Sequence, residues 1–182
     1  MPNKRYKAEQ IVTLLRQIEV GIANGKTTPP LRGIDANMTL GHTKGIDILA
    51  YSPDEGESYQ LEVKTHLVKG RYKPSQSSLF GTIASSWVMN EKHQRIEEPR
   101  RFYCFVNILH DSKSFEFYIV PSKVVAHYVT EEHKHWLNAH RKNGQKVKPN
   151  DMRTFRLGVE GSEYPIRTPI ASQYKDNWDF AQ

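Results

Sequence analysis

Between Ala8 and Ile22 the apolar residues Ile11, Leu14, Leu15, Ile18 and Ile22 recur three or four positions apart, with Glu9, Arg16 and Glu19 off that stripe. This spacing predicts an amphipathic helix. Gly21 weakens its last turn, and Asn24-Gly25 reads as its stop. Thr27-Thr28-Pro29-Pro30 follows as a stiff connector, because a residue before proline is pushed out of helical geometry. The period then shortens. Strands are expected over Ile34 to Leu40, Ile46 to Tyr51 and Ser58 to Thr65, the last two joined as a hairpin through the turn-rich Ser52-Pro53-Asp54-Glu55-Gly56-Glu57.

Further along, Lys69 to Ser78 is basic and polar and reads as a loop. Ser78 to Asn90 is expected to be a helix with Phe80, Ile83, Ala84 and Trp87 inward. Phe102 to Leu109 and Ser114 to Val120 are apolar strands on either side of His110-Asp111-Ser112-Lys113. Pro121 suits a first helical turn, with one or two short helices over Ser122 to Ala139. His140 to Met152 is basic and loop-like, and Arg153 to Gln182 is expected as an irregular tail bearing Tyr174, Trp178 and Phe180. The order describes one α/β domain built on a central sheet.

Composition narrows the function classes. The chain has 182 residues, 37% of them hydrophobic, which suffices for a core without covalent staples. Lys and Arg number 26 against 20 acidic residues, which rules out an acidic disordered tail and makes a polyanionic partner such as DNA more plausible. A single cysteine, Cys104, excludes a disulfide framework and a cysteine-based zinc site, and points to a reducing compartment. No apolar run reaches membrane-spanning length, and the start Met1-Pro2-Asn3-Lys4-Arg5 does not lead into a signal-peptide core. A soluble cytoplasmic protein is expected.

The chemistry concentrates in Gly45-Ile46-Asp47-Ile48-Leu49-Ala50 and Gln60-Leu61-Glu62-Val63-Lys64. Strand alternation puts Glu62 and Lys64 on one face and Leu61 and Val63 on the other. A hairpin pairing Tyr51 with Ser58 would set Asp47 directly opposite Glu62. Like charges so close destabilise a sheet unless something neutralises them. A hard divalent cation does so, since it takes oxygen ligands from one or two carboxylates, water and phosphate. Lys64 would then orient or deprotonate a water, or stabilise charge on a phosphate. Taken singly, a Lys beside a Glu is often a surface ion pair, and an Asp at a strand start often caps a turn.

These residues resemble the PD-(D/E)XK nuclease superfamily, whose restriction-endonuclease-like core runs helix–strand–strand–strand–helix–strand. Here the pattern reads Ile46-Asp47, then Glu62-Val63-Lys64, with Ile46 where the family name has proline. The resemblance spans about residues 31–139. It implies a mixed central sheet flanked by helices and a metal-dependent DNA endonuclease. Asp47 and Glu62 would bind Mg²⁺, or Mn²⁺, and Lys64 would assist the attacking water. Double-strand cleavage by so small a domain usually calls for a homodimer. The alternative within the same fold is a nucleic-acid or protein binding module without turnover.

The opening segment, Lys4-Arg5-Tyr6-Lys7-Ala8-Glu9-Gln10-Ile11-Val12 and on to Glu19, is similar to the start of the helix-turn-helix subunit of insertion-sequence transposases. Nothing after Thr28 continues that pattern, so no DNA-reading residue is carried over. Residues 1–28 are either a fused segment or the first helix of the domain, which leaves a transposase-derived DNA-binding fragment as a further alternative. The remaining divisions are a nuclease-like domain over 31–140 and a basic loop with an aromatic tail over 141–182.

Lys44, Lys69, Arg71 and Lys73 flank the motif and are candidates for contact with a nucleic-acid backbone; the same residues suit a solvated loop. His127, His133, His135 and His140 lack the spacing of a helical zinc site and read as solvated. Cys104, inside an apolar strand, is expected to be buried and inert.

Overall fold

Alternating burial along residues 48–52 and 57–61 builds the hairpin at the centre of the molecule, formed by β2 (Ile48–Ser52) and β3 (Glu57–Leu67). In the computed structural model, which describes residues 35–38, 45–68, 73–109, 114–142 and 150–180, Tyr51 pairs with Ser58 and Ile48 with Leu61, the register expected from the turn. The helix expected over residues 8–22 lies outside the described residues.

Five strands form a mixed sheet in the order β1-β2-β3-β6-β7, with β1 at Asp35–Met38, β6 at Arg101–Ile108 and β7 at Phe115–Pro121. β3 and β6 run parallel, and the other neighbours are antiparallel. All eight residues of β6 are buried, as in a strand covered on both faces. On one face Phe102, Cys104, Val106 and Ile108 pack with Leu61, Val63 and Ile119. Phe180 closes this layer, stacking on Tyr59 with ring centroids 4.8 Å apart. Burial pushes the Cys104 thiol up to about 12, with Asp176 and Asp47 adding to it, so this cysteine is unreactive.

The opposite face carries Tyr103, Phe105, Tyr118 and Val120. It is covered by α1 (Ser122–Lys142), a single helix rather than one or two short ones, and by a second sheet. That sheet has the order β4-β5-β8, from Ser75–Ser77, Gly81–Asn90 and Met152–Gly158.

Two expectations are thereby corrected. The segment expected as a helix at Ser78 to Asn90 forms β5, and the segment expected as an irregular tail supplies β8 and a turn of helix at Ala171–Tyr174. Ile83, Ser85, Trp87 and Met89 are buried at a period of two, whereas Ala84 is only partly so. Trp87 sits 4.7 Å from Phe105 and faces Phe155 in the same layer. Apolar burial against two other elements therefore selects the strand over a helix. The link from β3 to β6 consequently passes through β4, β5 and a 3-10 turn at Glu91–Arg95, where a helix was expected. Mixed α/β structure with a mixed central sheet stands, with fewer flanking helices among the described residues.

Candidate active site

The hairpin turns Glu62 and Lys64 toward the Tyr103–Phe105 face of the sheet, because those residues pair across β3 and β6 and paired side chains share a face. Glu62 is 2% exposed. Three cationic or titratable groups surround its carboxylate. Lys64 Nζ lies 2.6 Å from Oε1, Arg101 Nη2 lies 3.0 Å from Oε2, and His93 Nε2 lies 3.7 Å from Oε1. Burial alone would raise the Glu62 carboxyl, but the charge and hydrogen bond of Lys64, with His93 and Arg101, hold it below its ordinary value. It is a buried carboxylate kept ionised by its neighbours.

Asp47 lies one residue beyond the last ladder pair of β2. Its N–H donates to the Leu61 carbonyl at 2.9 Å, and its Oδ2 accepts the Val63 N–H at 2.7 Å. It therefore bonds the backbone on either side of Glu62. The expectation of two strand residues standing squarely opposite is replaced by an acidic hook onto β3.

Gly45 approaches Arg101 and Glu62 closely. Its φ of +87° belongs to the left-handed region, and its carbonyl accepts from Arg101 Nη2 at 2.6 Å. A Cβ on Gly45 would come 2.7 Å from that nitrogen and 3.7 Å from Lys92 Nζ, so glycine permits the close approach. Arg101 also reaches Glu98 Oε1 at 3.3 Å through Nη1. His93, on the 3-10 turn, lies 2.7 Å from the Tyr103 hydroxyl through Nδ1. Burial drives its imidazole down to about 4; Glu62 opposes this and Lys64, Lys92 and Arg101 add to it. His93 is thus neutral at pH 7, and either it or the phenol donates in that bond.

Of the residues singled out from sequence, Lys64 and Glu62 are in contact, and Asp47 bonds the backbone of Leu61 and Val63 on either side of Glu62. Lys73 is exposed just before β4, while Lys44, Lys69 and Arg71 lie outside the described residues, as do residues 1–28. His127 is exposed on α1, whereas His133 stacks on Trp136 and His135 meets the edge of Phe80. Sequence reasoning missed His93, Arg101 and Gly45. Arg101 had one visible signal, a cation opening an otherwise apolar run.

No family model matches the chain, and no curated protein matches it. Among solved structures it is similar to a bacterial homing endonuclease, I-Ssp6803I, with 14% identity and a TM-score of 0.40 over 98% of this chain and 90% of that one. No helix among the described residues is long and apolar enough to cross a membrane.

Proposed function

We propose that the protein is a metal-dependent DNA endonuclease whose site is Asp47, Glu62 and Lys64. One observation carries this reading: a buried, ionised Glu62 has Lys64 Nζ at 2.6 Å, and Asp47 bonds the backbone on both sides of it. Asp47 and Glu62, on neighbouring strands, would offer carboxylate oxygens to a hard cation that completes its shell with water and phosphate. Asp47 Oδ2 and the Glu62 oxygens each retain acceptor capacity beside the bonds they make. Among the described residues no group of three or more acidic, His or Cys side chains could hold a metal ion, so a cation bound here would take its other ligands from water and phosphate. The chemistry that Mg²⁺ supplies when bound is polarisation of a phosphoryl oxygen and acidification of a water.

The protein's own residues do the rest. Arg101 holds Glu62 in place and ionised, leaving Lys64, whose side chain is 27% exposed, to face the substrate. Its ammonium orients the attacking water and offsets charge developing on phosphate. The net charge of +6 draws a polyanion toward the site.

A second reading, a DNA-binding module without turnover, is favoured by the occupation of both Glu62 oxygens by Lys64 and Arg101. Supercoiled plasmid incubated with the protein in Mg²⁺, in Mn²⁺ and in EDTA separates the two. Metal-dependent nicking that disappears in folded Glu62→Gln and Lys64→Ala variants is the expected result. Salt-sensitive DNA binding with no nicking in either metal would move the assignment to the binding module.

A further inference from the structure

A cleft of 480 Å³, lined by none of Asp47, Glu62 and Lys64, lies between the start of α1 and residues 167–174. Lys123, His127 and Arg167 stand around it, and no acidic residue lines it. Lys123 occupies the first helical turn of α1, which holds no acidic residue. That placement is electrostatically unfavourable, since the N-terminus of a helix already carries partial positive charge and ordinarily attracts Asp or Glu. Neither Lys123 nor Arg167 makes a hydrogen bond or ion pair within the described residues. Tyr128 also lines the cleft; it is 1% exposed, with Thr168 and Arg156 near its hydroxyl. The remaining wall is apolar and aromatic, with Ile170 and Tyr174.

We propose that this cleft binds a small organic phosphate monoester, its phosphate against Lys123, Arg167 and the α1 N-terminus and its organic body against Tyr174 and Ile170. An anion there relieves the unfavourable charge of the helix start, and backbone N–H groups of a first turn are natural phosphate donors. The volume falls in the range of small-molecule sites, and the division into a cationic end and an apolar wall suits a ligand of two parts. The inference does not rest on the nuclease reading.

The test is calorimetric titration of the full chain in EDTA with AMP, adenosine and inorganic phosphate. EDTA removes metal-dependent hydrolysis, so failure here is distinct from failure of the nuclease assignment. AMP is expected to bind more tightly than adenosine by about tenfold or more, the scale of one charge-assisted hydrogen bond. Arg167→Ala and Lys123→Ala, both exposed and expected to fold normally, should each weaken AMP by a similar factor, while Lys134→Ala, an exposed cation of α1 outside the cleft, should leave it unchanged. Equal binding of AMP and adenosine would overturn the phosphate assignment. Inorganic phosphate binding as tightly as AMP would overturn the role of the apolar wall. Should Arg167→Ala spare AMP and weaken duplex DNA instead, the cations belong to a DNA backbone contact and the proposal fails.

Discussion

Arg101, the first residue of β6, holds Glu62 on β3 through a single nitrogen, Nη2, which lies 3.0 Å from Oε2 and also donates to the Gly45 carbonyl at 2.6 Å. Both side chains are buried, so each charge depends on the other for what water would have supplied. Replacing Arg101 by Met leaves Lys64 as the one lysine or arginine paired with Glu62 among the described residues and should lower unfolding free energy by about 3–5 kcal/mol, the usual cost of breaking a buried pair from one side. Adding Glu62→Gln to that variant should recover part of the loss, because the uncompensated carboxylate is gone. Urea denaturation of the two single variants and the double measures this directly. A loss below about 1 kcal/mol for Arg101→Met, with no recovery in the double, would mean that the pair behaves as a surface bridge.

Lys64 and a metal ion would compete for Glu62 Oε1, since the ammonium lies 2.6 Å from it. Lys64→Met should therefore leave Mn²⁺ affinity unchanged or tighter, while cleavage falls by about a hundredfold or more, the scale of a positioned proton-transfer or charge-stabilising group. Mn²⁺ titration alongside plasmid nicking separates the two effects. Loss of metal binding in step with cleavage would instead make Lys64 an organiser of the carboxylates, with no separate role at the water.

The β2–β3 hairpin was legible in the sequence because everything that defines it is local. Ser52 to Glu57 supplies the turn, and alternation in the flanking strands fixes which face each residue takes. That locality set Lys64 against Glu62 and Asp47 against the backbone on either side of Glu62. The second sheet was not legible in the same way. β5 pairs with β8, from Ile83 against Gly158 to Asn90 against Met152, across a long stretch of chain. Meanwhile Phe80, Ile83, Ala84 and Trp87 happen to satisfy a helical spacing as well. His93 and Arg101 were invisible for a related reason. Each reaches Glu62 only because the crossover returns β6 parallel to β3, a tertiary fact with no local signature.

His93 gives the site a pH dependence that does not involve catalysis. Buried against Tyr103 and facing Glu62, Lys64, Lys92 and Arg101, its imidazole titrates at about 4 in the folded protein, against 6.5 when exposed. Between these values the unfolded chain binds more protons than the folded one, so stability falls as pH drops through this window. Above pH 6.5 the contribution is complete; below 4 the loss is on the order of 3 kcal/mol. Urea midpoints at pH 7, 5 and 4 in EDTA should decline more steeply for the native chain than for His93→Gln. Parallel declines would assign the acid sensitivity to other groups.

Asp47 is where a structural and a chemical role must be told apart. Its Oδ2 accepts the Val63 N–H at 2.7 Å, a bond that tethers the entry of β2 to β3 whether or not a metal is present. Asparagine keeps an oxygen able to accept that bond but removes the charge. Asp47→Asn should accordingly melt close to the native chain while losing Mn²⁺ binding and about a hundredfold of nicking activity. Asp47→Ala removes the acceptor too and should cost a further ~1 kcal/mol of stability. The comparison is decisive because the two substitutions share the loss of charge and differ only in the hydrogen bond. If Asp47→Asn nicks plasmid at the native rate and only Asp47→Ala is impaired, Asp47 is a backbone hook. The metal would then have to be held by Glu62 without it.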